Sequence, residues 1–389
     1  MFIFKADFLN QNCHCSTLDT AALPPFYSAA PHFLAREDLS TISGFIADYQ
    51  DFVALPAVQR EFLRTPSVEQ GIFNSYDFHI SAEGPQLIEI NSNAGGALLS
   101  LLASENIRPC CDGMDRYLPN SDYRFNREKL VQMFRSEFRL RFPDRELKSV
   151  AIVDEAPESQ FFYKEFLLAQ ELLEAHGIKT YIVSPGDIQL KNRIAYAGDH
   201  PVDFIYNRLT DFYFEQPASR ALRDIYETGA ATVSPNPHIH ALYARKSNLV
   251  SVWNDTFASR IDIPRENLDR LRAHIPEAVM VMPENQDSLW QNRRAWFFKP
   301  TDGFGSKGVY RGDKITKKVW EHITAGNYIA QRYVEPESRQ ISATEKLKYD
   351  IRVYTYGKEI LGITARYYQG QTTNFRTPNG GLATVLVAA

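Results

Sequence analysis

Positive charge is in short supply in this 389-residue chain. Lys and Arg total 43 against 47 Asp and Glu, a formal net charge of -4, so no basic field gathers nucleic acid and no Lys/Arg block is long enough for a binding tail. Nucleic acid is therefore not an expected partner. Long apolar runs are also missing: none reaches the length of a membrane span, and the opening MFIFKADFLN is charged too soon for a secretory signal. The expectation is a cytoplasmic protein with no membrane partner. Cysteine is sparse, with Cys13 and Cys15 around His14 and the adjacent Cys110 and Cys111. The first pair could hold a metal, but no second cluster completes a four-ligand site, and reduced structural cysteines are expected. No Gly-Lys-Ser or Gly-Lys-Thr ends a Walker A loop, and the His-Arg-Asp and Asp-Phe-Gly motifs of protein kinases do not occur. No internal repeat or low-complexity segment is present.

What is there is ordinary for a globular chain, 44% hydrophobic and 23% charged, and the length predicts two or three packed units. Apolar residues at helical spacing (Leu39, Ile42, Phe45, Ile46, Tyr49) predict helix between about Arg36 and Glu69. NAGGALLSLLA reads as a helix, followed by a polar, Arg-rich stretch through residue 130. Val150 to Val153 then reads as a short buried strand, FFYKEFLLAQELLEAHGI as an amphipathic helix ending near Gly177, and KTYIVSP as a second strand, which makes a βαβ unit. VDFIYNRLTDF looks like a third strand running out into a loop. From AWFFKP onward short strands and glycine turns dominate, with one helix near Lys317 to Ile323.

The stretch YDFHISAEGPQLIEIN, Tyr76 to Asn91, reads as two strands around a turn at Ser81 to Pro85. Strict alternation puts Leu87, Glu89 and Asn91 on one face and sends Ile88 and Ile90 into the packed layer, while Asp77 and His79 share a face of the first strand. Asp77, Glu89 and Asn91 then become three oxygen donors on neighbouring strands, a place for a hard cation.

FFKPTDGFGSKGVYRG contains Gly303, Gly305 and Gly308 as a literal G-x-G-x-x-G. A dinucleotide turn needs a helix after it, and a nicotinamide-dependent dehydrogenase would require one after Gly308, yet GVYRGDKI alternates like a strand. The loop is expected to join two antiparallel strands. Glycine amides approach phosphate closely, and Lys299 and Lys307 add positive charge, so a glycine flap over triphosphate fits this segment, Ser306 included, better than a dinucleotide turn.

The order strand, KPTDGFGSKGV, YIAQRYVEP, then KYDIRVYTYGKEILGITARYYQGQTTNFRTPNGGLATV resembles the ATP-grasp fold, except that the hairpin which usually follows lies far upstream, at Tyr76 to Asn91. The arrangement is that of a circular permutation and resembles the eukaryotic-type glutathione synthetases, with glutathionylspermidine synthetases as more distant relatives. The resemblance implies an α/β (α+β) ATP-grasp fold, circularly permuted, with an inserted Rossmann-like βαβ substrate domain. The implied divisions are 1–145 for the metal hairpin and helices, 146–240 for the substrate domain, and 241–389 for the nucleotide-binding part with its flap. Two departures stand out: Ser75 occupies a position where the glutathione enzymes carry a substrate-contacting Arg, and Asp302 stands nearest the flap where a metal-binding Glu is usual.

The implied activity is an ATP-dependent carboxylate-amine ligase that makes an amide through an acyl phosphate, with ATP and Mg2+ required and a small-molecule or short-peptide acid and amine as substrates. A homodimer is also implied, as is common in the related synthetases. Glu89 and Asn91 are expected to bind magnesium, with Asp77 and Asp302 as further ligands. Lys246 in YARKSNL, Lys299 and Lys307 are expected on phosphates, with Gly303, Gly305, Ser306 and Gly308 in the flap and Gln331, Arg332, Tyr333 and Val334 at the adenine hinge. Arg208 in YNRLTDF, Arg366 and Arg376 can offer bidentate forks to a carboxylate or acyl phosphate, and with Lys307 form the catalytic set. Gly380 and Gly381 resemble a loop covering the acceptor. Asp350 and Arg352 are either a structural pair or reach the nucleotide, and His238 and His240 receive no role. A non-catalytic ATP-binding sensor of the same fold is the alternative.

Overall fold

The helical spacing from Leu39 to Val53 becomes one helix, Arg36–Ala54, whose buried Leu39, Ile42, Phe45, Ile46 and Tyr49 face a sheet. It stops at Leu55 because the residue before a proline is pushed out of helical geometry, and Pro56–Phe62 starts a separate short helix. The computed structural model describes residues 6–13, 26–62, 66–107, 123–261, 263–303, 307–375 and 377–388.

The strands run, in chain order, β1 (His32–Ala35), β2 (Asn74–Ser81), β3 (Gly84–Asn91), β4 (Ser149–Val153), β5 (Lys179–Val183), β6 (Ile188–Lys191), β7 (Ile194–Ala197), β8 (His200–Pro201) and β9 (Phe204–Asn207). There follow β10 (Thr232–Ser234), β11 (Ala278–Met280), β12 (Trp296–Pro300), β13 (Tyr310–Arg311), β14 (Tyr328–Arg332), β15 (Ser338–Gln340), β16 (Lys346–Tyr356), β17 (Glu359–Tyr368) and β18 (Gly381–Ala388). The largest sheet has the order β1-β18-β17-β16-β2-β3, with β15 also on β16. Both ends of the chain therefore build one sheet: β2 pairs antiparallel with β16, and β1 pairs parallel with β18. One face packs on helix 36–54, burying Tyr76, Phe78, Leu87, Ile90, Ile351 and Val353 in a common core.

A parallel sheet, β10-β9-β4-β5, contains the strands expected at 150–153, 179–183 and 204–207, with helix Tyr163–Glu174 joining β4 to β5. An antiparallel sheet, β11-β14-β12-β13, holds the glycine loop, and β6-β7-β8 form a small three-stranded sheet. The mixed α/β composition is as expected. The Arg-rich stretch ends differently: Arg127–Arg141 is a helix, capped by the Asn126 side chain on the amides of Glu128 and Lys129, with Leu130, Phe134 and Phe138 buried along one side. After Gly308 the chain enters β13, antiparallel to β12, then a single 3-10 turn at Gly312–Lys314, and no α-helix starts before Lys317–Ala325, so the arrangement a dinucleotide turn needs is not present. No described helix is long and apolar enough to cross a membrane.

Candidate functional site

The open face of the large sheet and the small antiparallel sheet together enclose a cleft of about 370 Å3, with lining side chains from β2, β3, β12, β14, β16 and β17. The hairpin that supplies one wall closes more tightly than expected, pairing Ser81 with Gly84. It also carries a bulge: Asp77 pairs with Glu89 but Phe78 pairs with Leu87, so Ile88 is the extra residue. This overturns the strict alternation. Leu87 and Ile90 both enter the core, while Ile88, Glu89 and Asn91 line the cleft.

The sheet floor is a ladder of alternating charge. Register sets Arg352 opposite Asp77 and Arg366 opposite Asp350. Arg352 donates through Nε and Nη2 to Asp77, both at 2.7 Å, and Arg366 donates Nη2 to Asp77 at 2.8 Å and Nε and Nη2 to Asp350 at 2.6 and 2.9 Å. Asn91 Nδ2 adds a bond to Asp77 at 3.2 Å, and Thr373 donates to Asp350. Burial alone would raise the Asp77 carboxyl, but the two guanidiniums override it and hold it below the usual carboxylate range. Asp77 is thus a counter-ion for two arginines, and the metal-ligand role expected of it does not fit. Asp350 and Arg352 each pair across to a neighbouring strand rather than with each other.

Opposite the ladder sit two lysines. Lys299, on β12, donates to the Ile88 carbonyl and to Gln331 Oε1, both at 2.7 Å. The bulge presents these carbonyls: Gln331 Nε2 bonds Leu87 O at 3.3 Å. Burial lowers the Lys299 ammonium to about 8; Glu89 pulls it up and Lys246 pushes it down. Lys246 donates to Gly303 O at 2.8 Å and lies 3.2 Å from Glu89. Residues separated by 157 positions thereby meet.

The expected hinge residues Gln331, Arg332, Tyr333 and Val334 all line the cleft. Tyr333 is stacked with Phe297 at 6.2 Å and 13°, Arg332 pairs with Glu277 at 2.9 Å, and the Val334 carbonyl meets His79 Nδ1 at 3.0 Å. Gly303 lines the cleft; Gly308 holds φ +69 and leaves no room for a Cβ beside the Tyr328 hydroxyl, 2.9 Å away. Lys307 is exposed. Gly305, Ser306 and Arg376 lie outside the described residues, as do His14, Cys15, Cys110 and Cys111.

Two expected site residues sit elsewhere. Asp302 does not line the cleft; it accepts from Tyr213 at 3.1 Å and Thr301 at 2.9 Å, with Arg245 at 3.6 Å. Arg208 follows β9, buried beside the cleft rather than in its wall, donating Nη1 to Asn93 Oδ1 at 2.6 Å and Ala94 O at 3.3 Å. Gly380 and Gly381 serve packing: a Cβ on Gly381 would fall 2.0 Å from the Phe26 carbonyl, which accepts from the Leu382 amide. His240 is buried and stacks on Phe212 at 3.9 Å.

Sequence reasoning missed the aromatic wall. Phe162 and Phe375 line the cleft 5.6 Å apart, backed by Phe26 and Phe161. Their positions are distant in sequence, and no local pattern announces them. Among the described residues no group of three or more His, Cys, Asp or Glu is placed to hold a metal. Glu89 and Asn91 remain as adjacent donors on the cleft wall, the kind of sparse set that suits magnesium shared with phosphate oxygens and water.

The sequence matches no family model and no curated protein. Among solved structures, the chain is similar to a glutathione synthetase-like effector from Globodera pallida in its apo form, with a TM-score of 0.59 and 9% identity over 93% of this chain and 90% of that one. It is also similar to a candidate gamma-glutamylcysteine synthetase from Methylobacillus flagellatus, with a TM-score of 0.51 and 12% identity over 91% and 89% of the two chains. At these identities the likeness establishes a shared mixed α/β fold.

Proposed function

We propose that the chain is an ATP-dependent carboxylate-amine ligase of the ATP-grasp type. The observation that carries this reading is the meeting, in one cleft, of Glu89 and Asn91 with Lys246, Lys299 and the 331–334 segment. Joining an acid to an amine in water requires the carboxylate to be activated; attack on the γ-phosphate of ATP gives an acyl phosphate, from which the amine displaces phosphate. Fixed cations aimed at the transferred oxygens stabilise the charge that builds there. Lys246 and Lys299 would take phosphate oxygens, exchanging their present carbonyl acceptors for stronger anionic ones. Lys307 and the glycines at 303, 305 and 308 would close over them. The base would lie between Phe297 and the 331–334 segment. Glu89 and the Asn91 carbonyl oxygen would hold magnesium, which supplies charge neutralisation at the phosphates. Arg366, oriented by Asp77 and Asp350, faces the cleft and would meet the substrate carboxylate; Arg208 and Arg376 would complete the catalytic set.

The hairpin stands upstream of the flap in sequence and beside it in space, which supports a circular permutation with 1–145 and 241–389 building the ATP-grasp unit around a substrate domain at 146–240. Small-molecule or short-peptide acids and amines are the substrates, in a homodimeric enzyme. Incubation with ATP, magnesium and a panel of amino acids, small peptides and polyamines tests the reading; phosphate release that depends on both an acid and an amine is the expected result.

One observation favours a second reading, a non-catalytic nucleotide sensor. Arginines occupy Asp77 and Asp350, so among the described lining residues Glu89 is the one carboxylate left for a metal, and it is itself paired with Lys246. Stable ATP binding with no phosphate release for any acceptor would establish the sensor.

A further inference from the structure

A second cavity, of about 1150 Å3, lies at the opposite edge of the parallel sheet from Arg208. It is formed at the amino ends of strands: Ser149 opens β4, Lys179 opens β5 and Asp203 directly precedes β9, whereas Arg208 follows the carboxyl end of β9. Among the described residues it shares none of its lining with the nucleotide cleft. Six Lys and Arg side chains among the described residues line it, Arg135, Arg139, Arg145, Lys148, Lys179 and Arg193, against the carboxylates Glu146 and Asp203. That local excess of positive charge arises in a chain whose formal net charge is -4.

The acids do not neutralise it. Asp203 is consumed by Arg145 at 2.6 Å and by the amides of Lys148 and Ser149 at 3.0 and 3.2 Å. Arg139, Lys148, Lys179 and Arg193 form no ion pair with any described residue. Like charges brought together in a concave site repel, and nothing in the packing demands them, since all four are exposed. Such a concavity focuses field on an anion. Guanidinium forks match phosphate oxygens, and ammonium groups serve as point charges beside them. Tyr181 and His200, both in the lining, stack at 4.6 Å and 9° and offer a flat ring surface at the same site.

We propose that this cavity binds a compact polyphosphate, inorganic or carried by a nucleoside. Its volume is of the order of small-ligand sites, and the absence of a basic track over the rest of the sequence argues against a nucleic acid strand. The ligand acts apart from the ligase chemistry, so the proposal stands independently of that reading.

Calorimetric titration of the full chain with inorganic tripolyphosphate, and in parallel with a nucleoside tetraphosphate, tests it. Tripolyphosphate is expected to bind, to weaken at least about tenfold in the exposed-site variant Lys148→Glu/Arg193→Glu, and to keep its affinity in Lys299→Met, which alters only the nucleotide cleft. The nucleoside arm is read in Lys299→Met, where the nucleotide cleft is weakened: binding tighter than tripolyphosphate that is lost in the cavity variant identifies a nucleotide as the ligand, and binding no tighter identifies the inorganic chain. Should the charge-reversed protein misfold, Lys148→Gln/Arg193→Gln is compared in the same way. No binding, binding indifferent to the cavity variants, or a tighter complex with a single-stranded RNA oligonucleotide overturns the proposal.

Discussion

The two sides of the cleft balance their charges by opposite means. On the sheet floor Arg352 and Arg366 interlock with Asp77 and Asp350 through five guanidinium bonds between 2.6 and 2.9 Å. Across the cleft Lys299 rests on two neutral carbonyl oxygens. A buried charge matched by an opposite one is a structural element, because removing either partner strands the other in a low dielectric. An ammonium held only by amides remains undercompensated, which is why its proton is loosened, and an arriving anion improves its surroundings. The paired floor is therefore chiefly scaffold, holding Arg366 in place where it faces the cleft, while Lys299 has charge to offer a ligand.

The comparison breaks most visibly at the ladder. Asp77→Ala leaves two buried guanidiniums short of a partner and is expected to cost about 3–5 kcal/mol in denaturant unfolding; a loss below about 1 kcal/mol would mean that the ladder is not the scaffold. Lys299→Met should do the reverse, leaving the unfolding midpoint nearly unchanged while weakening ATP binding roughly 10- to 100-fold, the worth of a charge-assisted bond.

The same lysine gives a pH signature. Its folded value, about 8, lies below the ordinary 10.5, so the unfolded chain binds the extra proton between those values. Its contribution is destabilising below about pH 8 and is relieved as pH rises toward 10.5. ATP affinity should fall as pH rises through about 8, and this break should vanish in Lys299→Met. A titration by fluorescence that shows the same break in both proteins would sink the assignment.

Smaller effects sharpen the contrast. Gly96 holds φ +102, where an added Cβ would lie 2.9 Å from the Tyr354 hydroxyl, and the neighbouring Gly95 carbonyl accepts from Tyr354 at 2.7 Å and Arg352 at 3.3 Å. Gly96→Ala is expected to cost about 1–2 kcal/mol by thermal unfolding, through backbone strain at the edge of the ladder. At the exposed pair Lys358–Asp51, 2.6 Å apart but more than half accessible on both sides, Lys358→Ala should change stability by less than about 0.5 kcal/mol. A similar loss at Asp77 and Lys358 would erase the distinction between the buried ladder and surface pairs.

Much of the cleft was legible in the residues. The hairpin announced itself through turn chemistry between apolar strands, and the glycine loop through what followed it, since GVYRG cannot start a helix on an alternating pattern. The 331–334 segment and Lys246 emerged from order along the chain. Besides the aromatic wall, three things escaped. A bulge is set by the pairing of two strands, so neither strand alone could reveal that Ile88 rather than Leu87 turns outward. Helix 127–141 hid behind six exposed or half-exposed charged side chains that outweigh its buried stripe of Leu130, Phe134 and Phe138. The fate of Asp77 depended on Arg352 and Arg366, 275 and 289 residues downstream.

Local chemistry in the sequence determined which segments become strands, helices and turns, because alternation, capping and glycine conformation act over a few residues. It also determined which oxygens and cations were available. Tertiary structure alone decided their partners: whether a carboxylate meets a guanidinium or stays open to a metal, and whether a lysine rests on an amide or an acid. Those outcomes rest on distances of about 3 Å between residues far apart along the chain, and electrostatic energy in a buried site depends on that separation, which no local pattern encodes.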